Sequence, residues 1–121
     1  MVQFSAFRGD QLATACKDGT ILIWKMRWVP ESMVQTVDIR CHVQISTKHN
    51  SICSINWSNT SDKYIVTAGK DKFAIVWDAE TGKNVLKLEG HINCIQTAIF
   101  SKDDKKIFTI GIDQILIIWE V

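Results

Sequence analysis

Three stretches of this chain end in the same way, and that recurrence constrains the fold more than any other feature. They are Lys17-Asp18-Gly19-Thr20-Ile21-Leu22-Ile23-Trp24, Lys70-Asp71-Lys72-Phe73-Ala74-Ile75-Val76-Trp77 and Ile112-Asp113-Gln114-Ile115-Leu116-Ile117-Ile118-Trp119. Aspartate and tryptophan are six residues apart in each, and a threonine stands four residues before each aspartate, at Thr14, Thr67 and Thr109. An aromatic residue followed by serine lies further upstream: Phe4-Ser5, Trp57-Ser58 and Phe100-Ser101. Four landmarks in one order, repeated in three places, mark an internal repeat. The last two tryptophans are 42 residues apart and the first two 53, so 11 extra residues fall between Trp24 and Ile52.

Within a unit the apolar period is two. Ile55 and Trp57 alternate with Ser54 and Asn56, and the runs Tyr64 to Ala68 and Phe73 to Trp77 are short, β-branched and aromatic. Gly69 to Lys72 between them reads as a hairpin turn, and Glu80 to Lys83 as a second turn leading to a fourth strand over Asn84 to Leu88. One unit is therefore four short antiparallel strands. The unbroken apolar run Ile115 to Trp119 predicts a strand covered on both faces. Radial repetition of stacked four-stranded sheets meets that demand.

Composition narrows the function classes. A length of 121 residues, 46% hydrophobic with five Trp and five Phe, suits one domain with a real core and excludes a disordered chain. A net charge of +1 argues against a protein that binds nucleic acid directly by neutralising phosphates. The longest apolar runs, Ile21 to Trp24 and Ile115 to Trp119, fall far short of the roughly 20 residues of a membrane span. No secretory signal is visible from Met1 to Gly9. The four cysteines, Cys16, Cys41, Cys53 and Cys94, therefore read as reduced thiols in a cytoplasmic or nuclear protein.

The run Gly90-His91, Phe100-Ser101, Thr109, Asp113, Trp119-Glu120 resembles a WD repeat, as does Thr67, Asp71, Trp77-Asp78 before it, and the resemblance covers almost the whole chain. It implies an all-β protein built as a β-propeller, in a family that mostly serves as non-enzymatic platforms for assembling other proteins. The units would be repeat 1 over about 1–47 with its insertion, repeat 2 over about 48–90, and repeat 3 over about 91–121 without its last strand. That is an incomplete propeller of just under three blades, while closed propellers have roughly 4–8. The remaining blades are expected from a longer chain or from self-association.

The resemblance also implies a buried polar network in each blade, joining His91, Thr109, Asp113 and Trp119 in the third unit. The aspartate would accept a histidine N–H, the histidine would bond the threonine hydroxyl, and that hydroxyl would take the indole N–H. Thr67, Asp71 and Trp77 supply the second set with His49 as its candidate histidine, and Thr14, Asp18 and Trp24 supply the first. A hydroxyl, His91 and Asp113 also invite reading as a hydrolase triad. The recurrence of the hydroxyl as threonine beside a tryptophan favours a structural role, because a nucleophile needs exposure and an oxyanion hole. His42, His49, His91 and the cysteines lack zinc-ligand spacing, and no glycine-rich phosphate loop occurs, so neither metal nor cofactor is expected.

The insertion spans Lys25 to Asn50, and either Met33 to Ile39 or His42 to Thr47 is its outer strand. An exposed loop carrying Arg27, Trp28 and Met33 is the candidate partner-binding surface, because these residue types are enriched in interface cores. The same region is similar to that of bromodomain-containing WD-repeat proteins, which implies a chromatin alternative. The expected function is a non-catalytic scaffold for proteins or peptides, with no membrane partner. A peptide or modified-histone reader and a hydrolase on His91 and Asp113 are the alternatives.

Overall fold

The structure, a computed structural model, describes residues 2–4, 11–29, 36–47 and 51–121. These form three antiparallel sheets in which neighbours in sequence are neighbours in space. The first sheet comprises β1 (Val2–Phe4), β2 (Gln11–Ala15), β3 (Thr20–Val29) and β4 (Thr36–Ser46), in that order. The second comprises β5 (Ile52–Trp57), β6 (Tyr64–Gly69), β7 (Phe73–Asp78) and β8 (Asn84–Glu89). The third comprises β9 (Ile95–Phe100), β10 (Lys106–Gly111) and β11 (Leu116–Glu120), with no fourth strand among the described residues.

The repeated aspartates sit in tight turns between the second and third strands of each sheet. Gly19 N–H donates to the Cys16 carbonyl and Gln114 N–H to the Gly111 carbonyl, both at 3.1 Å. The residue after each aspartate has a positive φ: 90° at Gly19, 74° at Lys72 and 66° at Gln114. Only the first is glycine, and the left-handed region costs other residues about 1–2 kcal/mol. Lys72 is exposed at its turn. Lys72→Gly is accordingly expected to raise stability by up to about 1 kcal/mol, net of the extra freedom glycine gives the unfolded chain. A higher urea midpoint at unchanged m-value is the expected result.

The sheets stack face to face, and the core lies in the two layers between them. Ala13, Ile21, Ile23 and Ile45 of the first sheet meet Ile55, Trp57, Ile65 and Trp77 of the second. Val66, Ala68, Ala74, Val76 and Leu88 on the far side of the second sheet meet Ile95, Ala98, Phe100 and Ile107 of the third. The middle strands β6 and β7 are thus buried on both faces, as their unbroken apolar sequences require. β11 departs from the same expectation: Leu116 and Ile118 are each 54% exposed. The reason is positional, since the equivalent Ala74 and Val76 are covered by the third sheet, and no sheet covers this face of β11 among the described residues.

Polar ties hold the stack in register. Ser54 Oγ accepts from Ala98 N–H at 3.2 Å, and Asn56 Oδ1 accepts from Phe100 N–H at 3.1 Å, joining the first strands of neighbouring sheets, β5 and β9. At the rim, the Asp104 carboxylate accepts the Asn59 and Thr60 N–H groups, each at 2.7 Å, and the Thr60 hydroxyl at 2.6 Å. Asn59 Nδ2 returns a bond to the Ser101 carbonyl at 2.8 Å. Charge-assisted bonds of this kind are the stronger ones. Asp104→Ala is expected to cost about 1–3 kcal/mol through the amides it leaves unpaired. Thermal unfolding measures it, and a wild-type-like Tm would mean that the rim tie contributes nothing.

The insertion is not a loop at Arg27 and Trp28. β3 and β4 run 10 and 11 residues, against 6 for β7 and for β8, so the first sheet carries a two-stranded extension. Arg27 pairs with Asp38 and Trp28 with Val37. The outer strand takes residues from both proposed segments, because β4 starts at Thr36 and ends at Ser46. A register shift between Ile23 and Trp24 absorbs His42 opposite them. Met33 and His49 lie outside the described residues.

Candidate functional site

The repeated threonines lie on the same sheet faces as the tryptophans, one pairing step of two residues away. Trp24 Nε1 donates to Thr14 Oγ1 at 3.1 Å, Trp77 Nε1 to Thr67 Oγ1 at 2.9 Å and Trp119 Nε1 to Thr109 Oγ1 at 2.8 Å. The pairing register makes this possible: Ile107, two residues before Thr109, lies opposite Trp119, as Ile65 lies opposite Trp77. Each indole therefore reaches along its neighbour strand to a hydroxyl on the same face. Thr67 and Thr109 are fully buried, and burial without a partner would cost each polar group heavily.

His91 extends the third set. Its Nε2 lies 2.7 Å from Thr109 Oγ1, so that one hydroxyl accepts the Trp119 indole N–H and shares a second bond with the imidazole. The residue before it, Gly90, lies under the Trp119 ring: a Cβ there would stand 2.9 Å from the ring's Cη2. That close approach is a physical reason for glycine ahead of the histidine.

The link expected from Asp113 to His91 is not formed. Asp113 Oδ1 accepts the Ile115 N–H of its own turn at 3.1 Å, while Asp113 Oδ2 and His91 Nδ1 are buried without a hydrogen-bond partner. Asp18 likewise caps its turn, accepting Thr20 N–H at 3.0 Å. In both, the aspartate's first partner is the turn amide two residues on, a local contact that needs no folded neighbour. The hydroxyl of the imagined triad is also unsuited to attack, since Thr109 is fully buried under an indole.

A charged contact joins the first two sheets. Glu80, in the turn after β7, reaches back to the first sheet, with Lys25 Nζ at 3.7 Å and His42 Nε2 at 3.3 Å from Oε1. In the exposed turn after β9, hydrogen bonding from the Ser101 hydroxyl, followed by the Lys105 amide, holds the Asp103 carboxyl below its ordinary range. The cysteines are free thiols, and no cluster of three metal-ligating side chains occurs among the described residues. None of the helices needed to cross a membrane occurs among the described residues either.

Sequence reasoning singled out the Thr–Trp pairs and His91. It missed Ser54, Asn56, Asn59 and Asp104, whose partners lie 41 to 45 residues away. Their separation of about one repeat was the available signal, because it sets equivalent strands of adjacent units side by side.

Comparison with known proteins agrees with this architecture. The family profile described as WD domain, G-beta repeat matches residues 5–25, 40–78 and 82–120. The chain is 29% identical over 115 residues to the probable cytosolic iron-sulfur protein assembly protein CIAO1 homolog of Caenorhabditis elegans, covering 93% of this chain and 33% of that protein. It is 31% identical over 111 residues to the probable coatomer subunit beta' of Schizosaccharomyces pombe, covering 91% of this chain and 13% of that one. The chain thus spans a third or less of the length of these relatives. In fold it is similar to the Cps50 (Swd1) β-propeller domain of Myceliophteria thermophila, with a TM-score of 0.76 at 21% identity, covering 99% of this chain and 35% of the other. Its three stacked sheets are blades of a β-propeller, and the chain belongs to the WD40 repeat family.

Proposed function

We propose that this chain is a non-catalytic scaffold segment, a rigid arc of propeller blades whose loops and faces hold other proteins in a multiprotein complex. The observation that carries this reading is the disposition of the reactive-looking groups. Thr109 is spent on Trp119 and His91 inside the blade, so the polar constellation holds the fold and leaves the surface for recognition. Relatives named for iron-sulfur protein assembly and for the coatomer support a role within assemblies. The extension of β3 and β4, which carries Arg27 and Trp28 and leads towards Met33, is the proposed contact arm.

A peptide or modified-histone reader is the second reading. A relative named as a chromatin assembly factor 1 subunit supports it, 31% identical over 88 residues. Binding assays separate the two. The purified chain is tested against folded candidate subunits and against an array of short peptides that includes modified histone tails. Saturable binding of folded subunits, weakened by Trp28→Ala, is the expected result. Binding only of short peptides near the propeller axis would replace the scaffold by the reader. Hydrolysis of an ester or peptide substrate that disappears in a folded His91→Ala variant would replace both.

A further inference from the structure

Two adjacent carboxylates in the turn after β9 have different partners. Asp103 serves its own turn, where Oδ1 accepts the Ser101 hydroxyl at 2.6 Å and the Lys105 N–H at 3.1 Å. Asp104, at a φ of 60° that aspartate tolerates better than most residues, serves the second sheet instead. Its Oδ1 accepts the Asn59 N–H at 2.7 Å, and its Oδ2 accepts both the Thr60 N–H at 2.7 Å and the Thr60 hydroxyl at 2.6 Å.

The turn between β5 and β6 closes without that hydroxyl. Ser58 N–H donates to the Tyr64 carbonyl at 2.9 Å, and Ser58 Oγ donates to the Ser61 carbonyl at 2.6 Å. Thr60 is exposed, and its Oγ1 bonds across to the third sheet. That contact has one polarity only. An ionised carboxylate accepts and cannot donate, so the oxygen facing it must keep its proton. An anion attached to that oxygen reverses the sign of the contact.

We propose that Thr60 is a phosphorylation site and that its modification opens the rim between the second and third sheets. In the transfer, Oγ1 bonds to the γ-phosphorus of ATP, the bridging bond to the β-phosphate breaks, ADP leaves, and the hydroxyl proton passes to the base of a protein kinase. The product carries a charge of about −1.5 to −2 at neutral pH, placed against a carboxylate that was its hydrogen-bond partner. The phosphate also competes for the amides that Asp104 holds. Lys63 in one turn and Lys102, Lys105 and Lys106 in the other are the cations available to oppose the repulsion. All four are exposed, where ion pairs contribute little. The bonds from Ser54 to Ala98 and from Asn56 to Phe100 involve no carboxylate, so the sheets part at the rim and stay joined along β5 and β9. The proposal rests on the stacking of the sheets and not on the scaffolding reading, so the two fail separately.

The test compares the full chain with and without phosphate on Thr60 by residue-resolved amide exchange. Protection of the Asn59 and Thr60 amides is expected to fall about tenfold or more, while Ala98 and Phe100 change by less than about twofold. Raising the salt to about 1 M should shrink the difference, because the repulsion acts at an exposed site. In the D104N chain the phosphate should change protection by less than about twofold, since the opposing charge is gone. The folded, unmodified chain, given ATP and a set of purified protein kinases, should gain phosphate at Thr60, read by mass spectrometry. Unchanged or greater protection of Asn59 and Thr60 overturns the proposal, as does an equal phosphate effect in the D104N chain. Loss of protection spread evenly over all three sheets overturns it too, because the phosphate would then unfold the chain instead of opening one seam. So does labelling of Thr60 that occurs only in urea, which would put the hydroxyl beyond a kinase's reach in the folded chain.

Discussion

Trp57→Ala is expected to lower stability by about 3–5 kcal/mol, the range for removing a large aromatic side chain from a packed core. Trp57 is 1% exposed and has the largest fully buried side chain among the described residues. It lies in the layer between the first and second sheets, with Ala13, Ile21, Ile23 and Ile45 on the opposing side. The strands around the vacated space are held by their ladder hydrogen bonds, so collapse is limited and the cavity term is large. A domain of this size has a total stability of roughly 5–15 kcal/mol, and the variant should be partly unfolded near body temperature. Ile118→Ala, on the uncovered face of β11, is the control and should fall within about 0.5 kcal/mol of the parent. Equal urea midpoints for the two variants would mean that the sheets do not stack as described.

Thr109→Val is the second large effect. The substitution keeps the shape of the side chain and removes only the hydroxyl, leaving both the Trp119 indole N–H and the His91 Nε2 without their partner. Each orphaned group costs about 1–3 kcal/mol, less where solvent reaches it, so a loss of about 2–4 kcal/mol is expected. Thr14→Val removes the single bond from Trp24 at a site open to more solvent and should cost about 1 kcal/mol. The difference between the two variants combines the imidazole bond with the deeper burial of Thr109. A red shift of Trp119 emission should accompany the loss at Thr109. Equal costs at Thr14 and Thr109 would show that neither the imidazole nor the deeper burial adds to the pair.

These two residues also show how much of the molecule is legible in its sequence. Period-two alternation and the fixed distance from aspartate to tryptophan place β6, β7, β10 and the Thr–Trp pairs, because both signals express backbone geometry that every repeat shares. The role of Asp113 was less accessible. An aspartate two residues from a turn amide has a partner at hand whatever the rest of the fold does, and spacing cannot tell that bond from one to a distant histidine. The apolar run of β11 describes what the strand needs on its faces, while coverage depends on a neighbouring sheet that three blades do not supply. The extension of β3 and β4 escaped because the intervening polar residues and Pro30 resemble a loop, whereas Lys25 to Val29 and Thr36 to Arg40 alternate in register as a ribbon. Function is the least legible layer, since recognition by a propeller resides in exposed residues that the repeat leaves free to vary.

The account rests on stacked sheets whose inner strands are paired on both edges, while β11, among the described residues, is paired on one. Residue-resolved amide exchange of the dilute chain, with no partner added, tests it most directly. The prediction is slow exchange through β6, β7 and β10, which are paired on both edges, and fast exchange on the outward-facing amides of β11. Protection of β11 on every residue, equal to that of β7 and independent of concentration, would contradict it.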